Sequence, residues 1–131
     1  MKVKIQIKVG NYNGTMGFAV RANRQTVWEA KPNELSEGLH DIKFNIDPHT
    51  KVDFIAFGKN SNKDTEVFDD GTMGRDKFIE IQLIVVQGVI IERHKIIENI
   101  FDPYFSINEA KTFYVPSKEE LPMWYLEKTA Q

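Results

Sequence analysis

Lys2-Val3-Lys4-Ile5-Gln6-Ile7-Lys8-Val9 alternates polar and apolar side chains without a break. A strand turns successive side chains to opposite faces, so this octet puts Val3, Ile5, Ile7 and Val9 on a core face and Lys2, Lys4, Gln6 and Lys8 on the other. A helix would spread the same residues around its whole circumference. The three lysines on alternate positions read as a solvated face or an edge strand protected from unwanted pairing, rather than as a binding stripe.

The same period continues outward from this octet. Asn11-Tyr12-Asn13-Gly14 follows it, and Asn-Gly favours the positive backbone dihedrals of a tight turn, so Met16, Phe18, Val20 and Ala22 are expected to return as the second strand of a hairpin. Asn13-Gly14-Thr15 also spells a glycosylation acceptor, which the turn explains better. Asn23-Arg24-Gln25 turns the chain into Thr26 to Ala30, and Pro32 to Gly38 reads as a connection. His40, Ile42, Phe44 and Ile46 form one face of a half-buried strand ending at Asp47-Pro48-His49-Thr50, with Lys51 to Gly58 as its expected partner. Within that partner, Ile55 and Phe57 load the face opposite Val52, Phe54 and Ala56, as in a strand covered on both sides.

Between Lys77 and Val86 the odd positions Ile79, Ile81, Leu83 and Val85 are apolar, and Gln87-Gly88 is expected to turn this strand into another running from Val89 to Ile97. The last third is less regular. Ser106 with Glu109, and Ser117 with Glu120, have capping-box spacing, but Pro122 is expected to stop the second after about one turn. Thr112 to Val115 and Met123 to Leu126 are candidate strands, and Lys128 to Gln131 a frayed end. About eight short strands with short helical turns near the C-terminus make an all-β chain, an antiparallel β-sandwich or jelly roll. It is read as one domain over 1–131, with residues 59–76 a long acidic loop and 98–131 a less regular extension.

Composition narrows the function. The chain has 131 residues, 41% of them hydrophobic and 27% charged, values of an ordinary globular domain. Seventeen Lys and Arg against nineteen Asp and Glu leave a net charge of −2, too balanced to draw in a phosphate backbone or an anionic membrane, so neither nucleic acid nor membrane is an expected partner. There is no cysteine, which removes disulfides, thiolate metal sites and a cysteine nucleophile. The N-terminal alternation lacks the unbroken apolar run of a signal peptide, and the compartment is left open. No nucleophile elbow, phosphate loop, dinucleotide fingerprint or His-Glu-x-x-His motif is present, so the chain is not expected to be an enzyme. His40, His49 and His94 fall on separate elements, and His40 reads as a hydrogen-bonded core or strand-end residue.

The chemistry-bearing stretch runs from Lys59 to Asp76. Asp64, Glu66, Asp69, Asp70 and Asp76 put five carboxylates within thirteen residues. Calcium takes six to eight oxygen ligands, so such a loop could hold it; the alternative is a solvated acidic loop paired with Lys63, Arg75 and Lys77. The spacing does not match an EF-hand.

Asp53-Phe54-Ile55-Ala56-Phe57 leading to Asn62 and Asp64, then Gly74-Arg75-Asp76-Lys77-Phe78 and the alternating strand closing at Gly88, resembles the calcium-dependent xylan-binding type of carbohydrate-binding module, over roughly Lys2 to Gly88. The resemblance implies a jelly roll in which calcium at a loop end is held by protein oxygens and by vicinal sugar hydroxyls, with Asp64 and Asp76 as the carried-over ligands. Lys63 interrupts the family's Asn-Asp pair, and Thr65 to Met73 is an insertion carrying its own Glu66, Asp69 and Asp70. Aromatic ring faces stack on pyranose rings, which makes Tyr12, Phe68 and Trp28, beside Asn62, the candidate ligand-binding residues, with Trp124 and Tyr125 as alternatives.

The expected function is therefore a noncatalytic carbohydrate-binding module with calcium as cofactor and a glycan as partner. The alternative is a structural or assembly subunit, such as a virion or cell-surface component, forming a homo-oligomer. It is motivated by Phe101, Tyr104, Phe105, Phe113, Tyr114, Trp124 and Tyr125 in the tail.

Overall fold

The computed structural model describes residues 1–10, 16–58, 65–67, 73–76, 78–105, 108–117 and 119–129. Among these are β1 (Lys2–Gly10), β2 (Gly17–Ala22), β3 (Gln25–Ala30), β4 (Gly38–Asn45), β5 (Thr50–Phe57), β6 (Thr65–Val67), β7 (Met73–Asp76), β8 (Phe78–Val86) and β9 (Val89–Glu92). Helix α1 (Arg93–Asn99), β10 (Tyr104–Phe105), β11 (Glu109–Val115) and helix α2 (Leu121–Thr129) complete the order. The strands build an antiparallel β-sandwich. One sheet has the order β10-β8-β1-β4, with β9 also on β8, and the other β11-β5-β2-β3; β6 and β7 form a separate hairpin.

Val3, Ile5, Ile7 and Val9 are buried, as their alternation requires, and face Phe18, Val20, Val52, Phe54 and Phe113 of the opposite sheet in one apolar cluster. The strand partners differ from expectation. β1 pairs with β4 and β8, whereas β2 pairs with β3 and β5, so β1 and β2 lie in different sheets and do not form a hairpin. Likewise β4 does not pair with β5: the turn at Asp47 to His49 carries the chain from one sheet to the other. Periodicity fixes which face of a strand is buried but is silent about which sheet receives it. β1 is also an interior strand, so its lysine face is a solvated face and not an edge. The turn at Asn23 and Arg24, both with positive φ (49° and 67°), does close a β2–β3 hairpin.

β8 carries a second correction. Its register on β1 slips between Gln6 and Ile7, Gln6 facing Leu83 and Ile7 facing Ile81, which leaves Gln82 as a bulge. The bulge reverses the phase, so Ile79, Ile81, Ile84 and Val86 are buried while Leu83 and Val85 turn to the outer face. The strand after Gln87-Gly88 ends at Glu92, and Arg93–Asn99 is helical rather than extended, with Ile96 buried.

The C-terminal region is also more helical than expected. Pro122 lies in the first turn of α2, where its missing N–H breaks no helical bond, so Met123 to Leu126 is helix and not strand. Ser117 and Glu120 do form a capping box: the Glu120 amide donates to Ser117 Oγ (3.2 Å) and the Ser117 amide to Glu120 Oε1 (3.3 Å). Glu109 opens β11, and Ser106, its expected capping partner, lies outside the described residues. Pro32–Glu34 adds a short 3-10 turn in the connection after β3.

Side-chain packing explains the tail aromatics. Phe105 and Phe113 enter the core, with Phe105 set edge-on to Phe18 at 5.6 Å across the two sheets. Trp124 of α2 is buried edge-on against Phe113 of β11, and α2 also meets β9 and α1, so the helices close one side of the sandwich. Phe101 packs on Phe54 at 6.0 Å. Of the seven aromatics that motivated an assembly role, Tyr104, Tyr114 and Tyr125 remain exposed, each with 37% to 44% of its surface open.

Candidate functional site

Strand register gathers the chemistry-bearing connections at one end of the sandwich. In the first sheet Gly10 pairs with Phe78, and Val9 with Gly38; in the second Gly17 pairs with Phe57, and Ala56 with Glu109. The Phe18–Phe105 contact ties the two sheets together at this same end. The segment following β1 and the acidic segment following β5 therefore both start here, and β8 leads away from it.

Within the acidic segment the backbone of β6 pairs antiparallel with β7, placing Thr65 opposite Asp76 and Val67 opposite Met73. Residues directly opposite in such a ladder have Cα atoms only ~5 Å apart. Thr65 and Asp76 are eleven positions apart in the chain, yet this hairpin sets their backbones side by side. Glu66 and Asp76 belong to described backbone; Asp64, Asp69, Asp70, Asn62, Phe68 and Tyr12 lie outside the described residues. Among the described residues, no three His, Cys, Asp or Glu side chains cluster as a metal site.

Trp28 occupies a different place. It pairs with Val20, shares the inner face, and lies half-buried with its ring centroid 6.5 Å from that of Phe18, anchoring edge strand β3 to the core.

Two aromatic residues that the sequence did not mark as ligand-binding, Phe78 and Tyr104, stand where the acidic segment leads into β8. Phe78 begins β8 two residues after Asp76, and its ring lies so close over Gly10 that a Cβ there would meet it at 2.4 Å. Tyr104 stacks on Phe78 with ring centroids 5.4 Å apart and planes 22° apart. Beside them Glu80, its side chain 17% exposed, accepts from Arg93 Nη2 at 2.9 Å and from Gln82 Nε2 at 2.6 Å. The signal was present in part, since Phe78 lies two residues after Gly74-Arg75-Asp76, which the structure places in strand β7 and not in the turn that the resemblance implied. Its pairing with Tyr104, however, depends on β10 docking on β8, a contact between distant segments.

The three histidines do not converge. His40 Nε2 lies 2.7 Å from the Ser36 carbonyl at a strand end, His49 sits in the β4–β5 turn and His94 on α1.

No protein-family model and no curated protein matches the sequence. Among solved structures, the chain is similar to vCBM60 in complex with galactobiose, with a TM-score of 0.55 and 12% identity over 87% of this chain and 98% of that one. A selenomethionine form of vCBM60, described with an evolutionary link by circular permutation between two families of calcium-dependent carbohydrate-binding modules, aligns with a TM-score of 0.55 and 11% identity, over 87% of this chain and 90% of the other. The chain thus has the fold of a carbohydrate-binding module. The likeness extends beyond the stretch from Lys2 to Gly88 on which the resemblance in sequence rests.

Proposed function

We propose that the protein is a noncatalytic carbohydrate-binding module whose ligand docks at the sandwich end carrying the acidic segment. The observation that carries this reading is the Thr65–Asp76 backbone pairing within the stretch whose sequence holds five carboxylates, two residues ahead of Phe78 and its stack on Tyr104. The module fold supports it, as does the galactobiose bound by a protein of that fold.

Calcium is the proposed cofactor. The donor set is all hard oxygen, with no thiolate or clustered imidazole, and suits calcium better than zinc or copper. Asp64, Glu66, Asp69, Asp70 and Asp76 are the proposed ligands. Calcium, when bound, offers open coordination positions to vicinal sugar hydroxyls. The chain's own residues supply the rest: carboxylates that bind the ion, and aromatic faces for the apolar side of a pyranose. Tyr104 and Phe78 join Tyr12, Phe68 and Asn62 as ligand-binding candidates, whereas Trp28 packs against Phe18 and the core.

The test is calorimetry of metal-stripped protein against galactobiose and xylo-oligosaccharides, with and without calcium. Binding that requires calcium and disappears in Asp64→Ala plus Asp76→Ala is expected; undiminished binding in that variant would overturn the metal site.

A second reading, self-association as an assembly subunit, draws on the exposed apolar side chains Ile90, Ile97, Met123 and Leu126 around β9 and the two helices. A sedimentation coefficient independent of concentration would remove it.

A further inference from the structure

At the opposite end of the first sheet, the outer face of β1, β4 and β8 bears a groove of about 450 Å³ lined by Lys2, Lys4, Lys43, Asn45, Val85 and Gly88. Lys4 and Lys43 are direct cross-strand partners, so two ammonium groups share one row of the ladder. Like charges placed opposite each other destabilise a sheet unless something compensates them. Among the described residues the one carboxylate paired with these lysines is Asp41, and its Oδ2 is 3.9 Å from Lys4 Nζ, at the outer limit of an ion pair. Three cations against one carboxylate leave the groove with surplus positive charge.

Two further features shape what could fill it. In the same row Lys4 pairs with Val85, and Val85 with the exposed Ile90, so an apolar wall stands beside the cations. The rim is braced: the Lys2 amide donates to the side-chain oxygen of Gln87 (2.5 Å) and the Gln87 amide to the Lys2 carbonyl (2.9 Å), which holds the β8–β9 turn against the start of β1. The next row of the face holds Asp41, Gln6, Leu83 and Glu92. A polyanion running along the sheet would meet two carboxylates one row, ~7 Å, beyond the lysines. The groove suits one compact anionic group on a body with an apolar face.

We propose that this groove binds the carboxylate of a uronic-acid unit, with Lys4 and Lys43 facing the anion, Lys2 at the rim and the sugar ring's C–H face toward Val85 and Ile90. The choice of a sugar acid rests on the carbohydrate-binding reading above; the anion site rests on the lysine geometry. Nucleic acid is disfavoured by the acidic neighbouring row and by the net charge of −2.

The experiment is calorimetric titration of the full chain with digalacturonate and with neutral galactobiose, in the wild type and in Lys4→Gln plus Lys43→Gln, at low and physiological salt. Expected are a roughly tenfold loss of digalacturonate affinity in the variant, the yield of two exposed ion pairs, together with weakening by salt and unchanged galactobiose binding. Unchanged digalacturonate affinity in the variant overturns the lysine site while leaving carbohydrate binding intact. Failure of both sugars to bind the wild type overturns the carbohydrate reading and with it the sugar-acid ligand. Octanoate or a single-stranded oligonucleotide binding the lysines as tightly as digalacturonate would overturn the sugar-acid assignment. Circular dichroism of the variant establishes that its sheets are intact, since both substitutions sit on a solvated face.

Discussion

The imidazole Nδ1 of His49 lies 2.5 Å from the hydroxyl of Tyr114, tying the β4–β5 turn to the outer face of β11. The other ring nitrogen, Nε2, is 2.9 Å from Glu120 Oε1, so one histidine joins a turn, a strand and the capping box ahead of α2. In the neutral ring Nε2–H donates to the carboxylate, and Nδ1 accepts from the Tyr114 O–H.

Acid should loosen this junction. The Ser117 hydroxyl bond, aided by the Ser117 amide and the charge of His49, holds the Glu120 carboxyl below its ordinary value, against the opposing effect of desolvation. A depressed folded-state pKa means that the stabilisation is complete above the ordinary carboxylate pKa and is lost as pH falls through the folded value. Glu120→Gln should therefore lower the melting temperature at pH 7 and flatten its fall below about pH 4.5, the ordinary carboxylate value. Identical acid profiles for the two proteins would refute this.

Gly17 and Gly10 should respond differently to alanine. A Cβ at Gly17 would meet the Phe57 ring at 2.5 Å and the Ala30 carbonyl oxygen at 2.9 Å, and the second is backbone that cannot swing aside. At Gly10 the three nearest atoms among the described residues all belong to the Phe78 ring, which a Phe78→Ala change would remove. Overpacking costs ~1–3 kcal/mol. Urea denaturation should show that Phe78→Ala relieves Gly10→Ala, whereas Phe57→Ala relieves Gly17→Ala only in part.

Burial separates the tail residues. Phe105→Ala and Trp124→Ala should each cost ~3–5 kcal/mol, because each leaves a cavity against a partner ring. Met123→Ser, on a side chain 64% exposed, should change stability by less than ~0.5 kcal/mol. Equal losses for Trp124 and Met123 would contradict the packing of α2.

Metal removal supplies a separate check on the acidic segment. A folded-state ligand present at a hundred times its dissociation constant stabilises by ~2.7 kcal/mol. Calcium should raise the wild-type melting temperature accordingly, a chelator should reverse the shift, and Asp76→Asn should shrink it. A wild type indifferent to calcium would leave the segment as a solvated loop.

What the sequence made legible followed from local periodicity. The alternation in β1 located the core face, and Asn23-Arg24 and Gln87-Gly88 marked real hairpins, since both signals lie within a few residues. Pairing between distant segments was not legible: no local pattern shows that β1 joins β8 rather than β2. The Gln82 bulge also hid from periodicity, because Leu83 and Val85 are as apolar as Ile84 and Val86, and either set could have been buried. Pro122 misled because the helix begins one residue before it, where proline is tolerated. At the candidate site, the clustering of acids was plain in the sequence. The Phe78–Tyr104 stack and the Lys4–Lys43 row exist only through cross-strand register.

The helices on one flank also govern how the sandwich meets its own kind. β9 meets both helices and Trp124 of α2 packs on Phe113 of β11, while on the other flank β3 and β4 each end a large sheet with no strand paired beyond them among the described residues. An uncovered edge is a template for a neighbouring strand, and a molecule with such edges on both flanks can recruit without end. On the helix side the first sheet ends in β9 and β10, four and two residues long, so among the described residues the eight-residue β4 is the one long edge this sheet offers a neighbouring strand.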